Sequence, residues 1–336
     1  MSKSKDEASD GSWKEYLLKS GLPLEYEILK FLSKKGCVVS HEFPYLRNND
    51  QQTETEFSYD IDASYAKLPA WTDLMIECKY RHDSTKWIFL PDSYGGVDEI
   101  YHTSFMHPLD HFNQHNKFVL PDFPWEFAPL CSKGVEVTGK EFNPKSITQA
   151  ELQLAYGMVH RVVDAFDNQT DEAMAATFAD TLWFHVPVIV TTAQLYRLNP
   201  GITISSIRST NGIESIASNV DAVIIKSQPG LQLKDYNMTH FANFIDGRSE
   251  KLEALLGANK DLSMVMSGIA SSECPAAMVV IHHDDENKAF NRLFDYIDKV
   301  MKPGPEIFAE INKRRMALNE KMQALSRKRR NQSSGE

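Results

Sequence analysis

Two strand-like runs, FSYDIDASYA (57–66) and DLMIECKY (73–80), restrict the fold most, because each alternates yet carries charged residues inside the alternation. Strand side chains point to opposite faces in turn, so Met75, Glu77 and Lys79 share one face and Leu74, Ile76, Cys78 and Tyr80 the other. By the same rule Asp60 and Asp62 share a face. Taken alone, an acid and a lysine two residues apart describe an edge strand with a solvated ion pair. The surrounding segments decide between that and a site.

Apolar spacing from Trp13 onward predicts helix, closed by Lys34, Lys35 and Gly36; cations followed by a glycine make a good helix end. Strands are expected at 37–46, 57–66 and 73–80, with a polar hairpin loop at 47–56 and a turn at 69–72. Residues 91–145 are rich in Pro, His, Gly and aromatics without clear period, and are expected to form a long, mostly irregular insertion. Ser146 and Gln149 have the spacing of a capping box opening a helix over 147–166. Short β-branched runs at 186–192 and 220–227 suggest parallel additions to the sheet, and a further strand at 276–283 precedes a helix at 286–301. A last helix is expected over 306–328. The order α-β-β-β-α-β describes an α/β fold. Residues 1–12 read as a flexible leader, 13–227 as the core with its insertion, and 228–336 as a C-terminal α/β extension ending in a basic helix.

At 336 residues and 42% hydrophobic content the chain has enough apolar side chains for a substantial core. No apolar run has the length of a membrane span, and the first residues are polar rather than signal-like. Four widely spaced cysteines without a CxxC pair suggest reduced thiols in the cytoplasm and speak against a structural zinc site. The net charge of −10 opposes a polyanionic partner, but its distribution is uneven. Residues 313–330 hold eight Lys/Arg against Glu320 alone, a local charge of +7 that leaves −17 for the remainder. An acidic body with a basic tail is not a DNA-coating protein, yet it can hold phosphates locally.

Asp62 precedes Glu77 by fifteen residues, a hairpin's distance. On adjacent strands Asp62, Glu77 and Lys79 would converge at one end of a sheet. Two such carboxylates repel unless a cation lies between them, and Mg²⁺ takes oxygen ligands while keeping several waters. Such an ion polarises a phosphoryl oxygen and acidifies a bound water, with a lysine to position that water. The chemistry suggested is phosphodiester hydrolysis.

The D…ExK arrangement, in DID (60–62) and ECK (77–79), resembles the PD-(D/E)XK nuclease superfamily, the restriction-endonuclease-like fold. LEYEILKFLSKKG (24–36) is similar to the opening helix of Mrr-type restriction endonucleases. QAELQLAYG (149–157) resembles a helix that follows Glu-x-Lys in several branches, and VPVIVTTAQLYRL (186–198) resembles a late core strand. The pattern departs from the Mrr type in lacking a glycine just before Asp62, in having glutamate in ECK, and in the long insertion. The resemblance covers roughly residues 13–227. It implies a mixed sheet flanked by helices, a Mg²⁺ site (Mn²⁺ able to substitute) held by Glu25, Asp62 and Glu77, and Lys79 orienting the attacking water. Glu27 is the alternative to Glu25. Asp60 and Gln153 would support the site from behind. The implied activity is that of a DNA endonuclease in bacterial defence or restriction. The alternatives are a catalytically inactive nuclease-like module that binds nucleic acid or a partner protein, and an RNase on the same scaffold.

Other clusters have plainer readings. His107, His111 and His115 recur every four residues, a spacing that suits zinc on a helix, but no cysteine or carboxylate cluster completes the set. His282, His283, Asp284 and Asp285 read as a solvated turn. Cys78 reads as a buried apolar residue. Arg327, Lys328, Arg329 and Arg330 are the candidates for phosphate contacts, while the apolar stripe Phe308–Leu325 suits packing on the body or in a homodimer.

Overall fold

The computed structural model describes residues 12–302, apart from 49–50, 52, 93–104, 110, 113–125, 139–141, 144, 179–180, 228 and 257–259, together with Ala309, Lys313 and Met316. The leader, most of the helix expected over 306–328, and Arg327, Lys328, Arg329 and Arg330 lie outside the described residues.

The opening helical region is two helices, α1 (Ser12–Lys19) and α2 (Leu22–Lys34). They are separate because Gly21 takes a left-handed backbone, φ 84°, and Pro23 starts the second helix, where its missing N–H costs nothing. Leu24, Ile28 and Leu32 form the buried row of α2. Glu25 lies in its first turn, where a negative charge complements the helix dipole.

An antiparallel meander follows: β1 (Val38–Asn48), β2 (Glu54–Lys67) and β3 (Ala70–Lys79). The turn expected at 69–72 is tighter and earlier, since Lys67 already pairs with Ala70. The segment expected to be irregular contributes β5 (His107–Leu109), β6 (Leu130–Val137) and β7 (Phe142–Asn143), after an unanticipated β4 (Lys86–Pro91). Strand β6 escapes a hydropathy reading because its buried positions include Gly134 and Glu136. Gly134 has to be small: a Cβ there would meet the Phe89 ring at 2.5 Å.

Helix α3 (Ser146–Thr170) and the short α4 (Glu172–Phe178) lead to β8 (Leu182–Thr191) and β9 (Gln194–Leu198). The capping box expected at Ser146 is absent. Lys145 precedes the helix without a side-chain cap, and the Ser146 hydroxyl instead donates to Glu136 at 2.7 Å. Then come α5 (Ile204–Ser209), β10 (Ala217–Val220), β11 (Ala222–Lys226), α6 (Leu231–Ile245), α7 (Ser249–Leu256), α8 (Leu262–Gly268), β12 (Ala277–His282) and α9 (Lys288–Met301).

The strands form one mixed sheet in the order β1-β2-β3-β8-β12-β11-β6-β4-β9-β10, with β5 paired to β8 and β7 to β6. Strand β8 runs parallel to both β3 and β12 and is buried along its whole length, as a central parallel strand covered on both faces should be. Strand β11 is parallel to β6, as the 220–227 run suggested, and antiparallel to β12 on its other side. Within the expected C-terminal extension, the described residues reach back into this sheet, with β12 between β8 and β11. They supply a middle strand whose alternate residues, such as Val279 and Val280, fill both cores. One core lies under α2 and α9, the other under α3, α6, α7 and α8.

Candidate active site at a strand fork

The β2–β3 ladder runs from Lys67↔Ala70 to Ile61↔Ile76. Beyond that point β3 continues against β8 as far as Lys79↔Thr191, while β2 continues against β1. The two strands therefore part where the hairpin register sets Asp60 across from Glu77. The β1–β2 register passes from His41↔Ile61 to Phe43↔Tyr59, leaving out Glu42 and Asp60, and Glu42 has φ 55°. This local break turns the strand. Tyr59 packs in the α3-side core and Ile61 in the α2-side core, although residues two apart should share a face.

At the fork, Asp60 Oδ2 accepts the Cys78 N–H at 2.6 Å. Glu77 is only 3% exposed. Its Oε1 is paired with the Lys79 ammonium, and its Oε2 is buried without a hydrogen-bond partner. Burial pushes the Glu77 carboxyl up to about 7; Lys79 and the Asp60 backbone N–H oppose the shift, and the Asp60 carboxylate reinforces it. The Asp60 carboxyl is also raised, chiefly by burial, against the pull of the Cys78 N–H and Lys79. Burial, then the charge of Asp60, raises Glu25 at the start of α2. Asp60, Glu77, Lys79 and Glu25 thus share one electrostatic neighbourhood.

The structure does not bring Asp62 there. Tyr59 donates its hydroxyl hydrogen to Asp62 Oδ1 at 2.6 Å, and Arg161 Nε of α3 lies 3.3 Å from the same oxygen. Arg161 Nη2 reaches the buried Asp73 at 3.0 Å, and Asp73 also accepts from Ser64 at 2.7 Å and Trp71 at 2.9 Å. The expected arrangement is therefore reversed: Asp60, placed behind the site by the sequence pattern, faces Glu77, and Asp62 belongs to a closed ionic network. The reason is the turn of β2 at Asp60, which no alternation rule anticipates.

Gln153 accepts from the Tyr45 hydroxyl at 2.8 Å through Oε1 and at 2.9 Å through its backbone carbonyl. Burial raises the Tyr45 phenol, with Glu77 adding to the shift, so this pair borders the fork. Sequence reasoning missed Tyr45, Asp73 and Arg161. Arg161 carried one signal, a cation on the otherwise apolar side of the 147–166 pattern.

Among the described residues, no group of three or more His, Cys, Asp and Glu side chains is placed to hold a metal ion. His107 and His111 do not lie on a helix. His107 lies in β5, donating from Nδ1 to the His185 carbonyl at 3.1 Å and accepting the Ala276 N–H at 2.9 Å, and burial lowers it to about 4. His111 is 3.7 Å from Glu273, and His115 is outside the described residues. His283 pairs with Glu27 at 2.9 Å, and Asp284 accepts the Glu286 N–H at 2.8 Å, as a local turn should. All four cysteines are buried and free.

No family model matches the chain, and neither a curated protein nor a solved structure matches it. The chain is an α/β protein with a mixed sheet flanked by helices. Among the described residues no helix is long and apolar enough to cross a membrane.

Proposed function

We propose that the chain is a divalent-metal-dependent phosphodiesterase of nucleic acid, foremost an endonuclease of DNA, with a restriction-endonuclease-like core made of α2, β1–β3, α3 and β8. The observation that carries this reading is Glu77 Oε2, a buried carboxylate oxygen without a partner, across parted strands from Asp60 and beside Lys79. Oxygen donors of this kind suit Mg²⁺ or Mn²⁺, and Mg²⁺ is commonly bound through one or two carboxylates with waters completing its shell. Asp60 and Glu77 would hold the ion, with Glu25 adding negative charge. When bound, it supplies polarisation of a phosphoryl oxygen and a more acidic water. The Lys79 ammonium would orient the attacking water, and Gln153, anchored by Tyr45, would position substrate. Asp62 serves the fold by holding Arg161. A role in bacterial defence rests on the family resemblance alone.

The test is incubation of the purified chain with plasmid DNA and with RNA, in Mg²⁺, Mn²⁺ or EDTA. Cleavage that needs the metal and is lost in Glu77→Gln supports the reading, and cleavage of RNA alone redefines it as an RNase. A second reading, a non-catalytic nucleic-acid- or protein-binding module, is favoured by the lack of a three-ligand cluster among the described residues. Absent cleavage, together with a melting temperature unmoved by Mn²⁺, would select it.

A further inference from the structure

Arg81, Arg161, Arg248 and Arg292 are each paired with carboxylates. Arg47, near the end of β1, is held differently. Its guanidinium carbon lies 3.8 Å from the centre of the Phe57 ring on β2 and 4.6 Å from that of Tyr156 on α3. Its Nε is buried without a hydrogen-bond partner, and among the described residues no carboxylate is paired with it. Cation–π attraction acts on the face of a guanidinium, so the two rings position Arg47 while leaving N–H donors at its edge for an anion.

The surroundings hold this arrangement in place and add little competing charge. The Tyr236 hydroxyl of α6 donates to the Leu46 carbonyl at 2.6 Å and lies 2.7 Å from His160 Nε2, which ties the end of β1 to α6 and α3. The Tyr156 and Tyr236 rings meet edge to face at 4.9 Å. Burial, then His240 beside it, lowers His160 to about 4, and burial lowers His240 as well, so at neutral pH the positive charge of this cluster is that of Arg47. Glu54 and Glu56 alternate to the other face of β2 from Phe57. Burial raises the Tyr236 phenol and Arg47 opposes it, with Glu54 adding the smallest share.

The hairpin register places Arg47 relative to the fork. Arg47 pairs with Thr55, Tyr45 with Phe57 and Phe43 with Tyr59, and the ladder then passes over Glu42 and Asp60. Tyr45, Phe57 and Tyr156 pack on the α3-side core, as does Met75, whose face of β3 Glu77 shares. Tyr45 joins the two places: its ring centre is 6.3 Å from that of Phe57, and its hydroxyl bonds Gln153.

We propose that Arg47, seated on Phe57 and Tyr156, is a phosphate clamp that holds the backbone of a nucleic-acid strand on the α3 side of the fork. The five residues of β1 from Glu42 to Arg47 span about 16 Å, roughly five nucleotides at about 3.4 Å each, which sets the distance from the clamped phosphate to the reacting one. The inference rests on the phosphodiesterase reading for the identity of the anion, but binding is measured without cleavage.

The experiment is anisotropy of a fluorescent DNA duplex, and of the RNA duplex of the same sequence, titrated with the full chain in EDTA across a salt series. Arg47→Gln should bind about tenfold more weakly, as the loss of a charged hydrogen-bonded contact implies, with a salt slope smaller by about one. Arg47→Lys should keep the slope and still bind more weakly, because an ammonium lacks the planar fork. Phe57→Leu should behave as Arg47→Lys does, by releasing the guanidinium, and it decides the matter if neither Arg47 variant folds. Arg208→Gln removes an exposed arginine between β9 and β10, at the other edge of the sheet, and should bind as wild type does. A folded Arg47→Gln with wild-type affinity and slope overturns the clamp, as does equal weakening in Arg208→Gln, or a wild type that binds neither duplex. Binding of RNA in place of DNA, weakened by the same variants, supports the clamp and changes only the sugar it serves. Binding through Arg47 without cleavage in Mg²⁺ leaves the clamp standing and removes the hydrolytic reading. Cleavage by a chain whose Arg47→Gln variant binds normally does the reverse.

Discussion

Asp60 and Asp62 stand two residues apart on one strand and live in opposite circumstances. Asp62 is enclosed by Tyr59 and Arg161, and through Arg161 it is tied to Asp73, itself held by Ser64 and Trp71. Asp60 faces an opening between strands, where Glu77 keeps a buried oxygen without a partner. In the first group Arg161 lies against Asp62, Asp73 and Asp164 together, and the hydroxyls of Tyr59 and Ser64 and the Trp71 N–H donate to Asp62 and Asp73. The second holds more negative charge than Lys79 alone offsets. Asp62 and Asp73 each accept hydrogen bonds from neighbouring side chains, while Glu77 Oε2 accepts none.

The comparison breaks most visibly at Arg161. Replacing it with Met would leave Asp73 buried and unpaired, and should cost roughly 3–5 kcal/mol of stability. Thermal or urea unfolding measures this, and a loss no larger than that of an ordinary surface substitution would mean that the network is not closed.

At the fork the sign is reversed. The Glu77 carboxyl is pushed up to about 7 from an ordinary 4.5, so the folded chain binds its proton more tightly than the unfolded chain does. Its stability is therefore favoured below the unfolded value and falls as pH rises from there through about 7, by roughly 3 kcal/mol in all. Glu77→Gln should remove that slope and be the more stable protein at pH 8, with little difference near pH 4.5. Millimolar Mn²⁺ should recover stability in the wild type at pH 8 and not in the variant, since a cation bound only by the folded form stabilises it by mass action. Parallel pH curves for the two proteins would contradict this.

A smaller effect separates the two aspartates directly. Asp62→Asn keeps an acceptor for Tyr59 but loses the attraction for Arg161, which should cost about 1 kcal/mol. Asp60→Asn relieves repulsion with Glu77 and Glu25 and should leave the melting temperature level or slightly higher.

Much of this was legible from sequence. The meander, the helical region before it and the nearness of Glu77 and Lys79 follow from periodicity, turn residues and helix ends, whereas Glu25 was placed there only by the family resemblance. Two things were not. Strand β6 hides because Gly134 and Glu136 are buried for reasons of fit and hydrogen bonding rather than hydropathy. The exchange of Asp60 for Asp62 arises from the interruption at Glu42, a backbone event without a glycine to announce it. One signal was present: a turn centred on Leu68 and Pro69 pairs Lys67 with Ala70, and counting back along that hairpin sets Asp60 against Glu77.

The central claim is that the fork, not the closed network, is where chemistry occurs. Single-turnover cleavage of DNA in Mg²⁺ by Asp60→Asn and Asp62→Asn, each confirmed folded, tests it most directly. The account predicts that Asp60→Asn loses at least about a hundredfold in rate, as removing a metal-binding carboxylate should, and that Asp62→Asn stays close to wild type. An active Asp60→Asn beside an inactive, folded Asp62→Asn would contradict it.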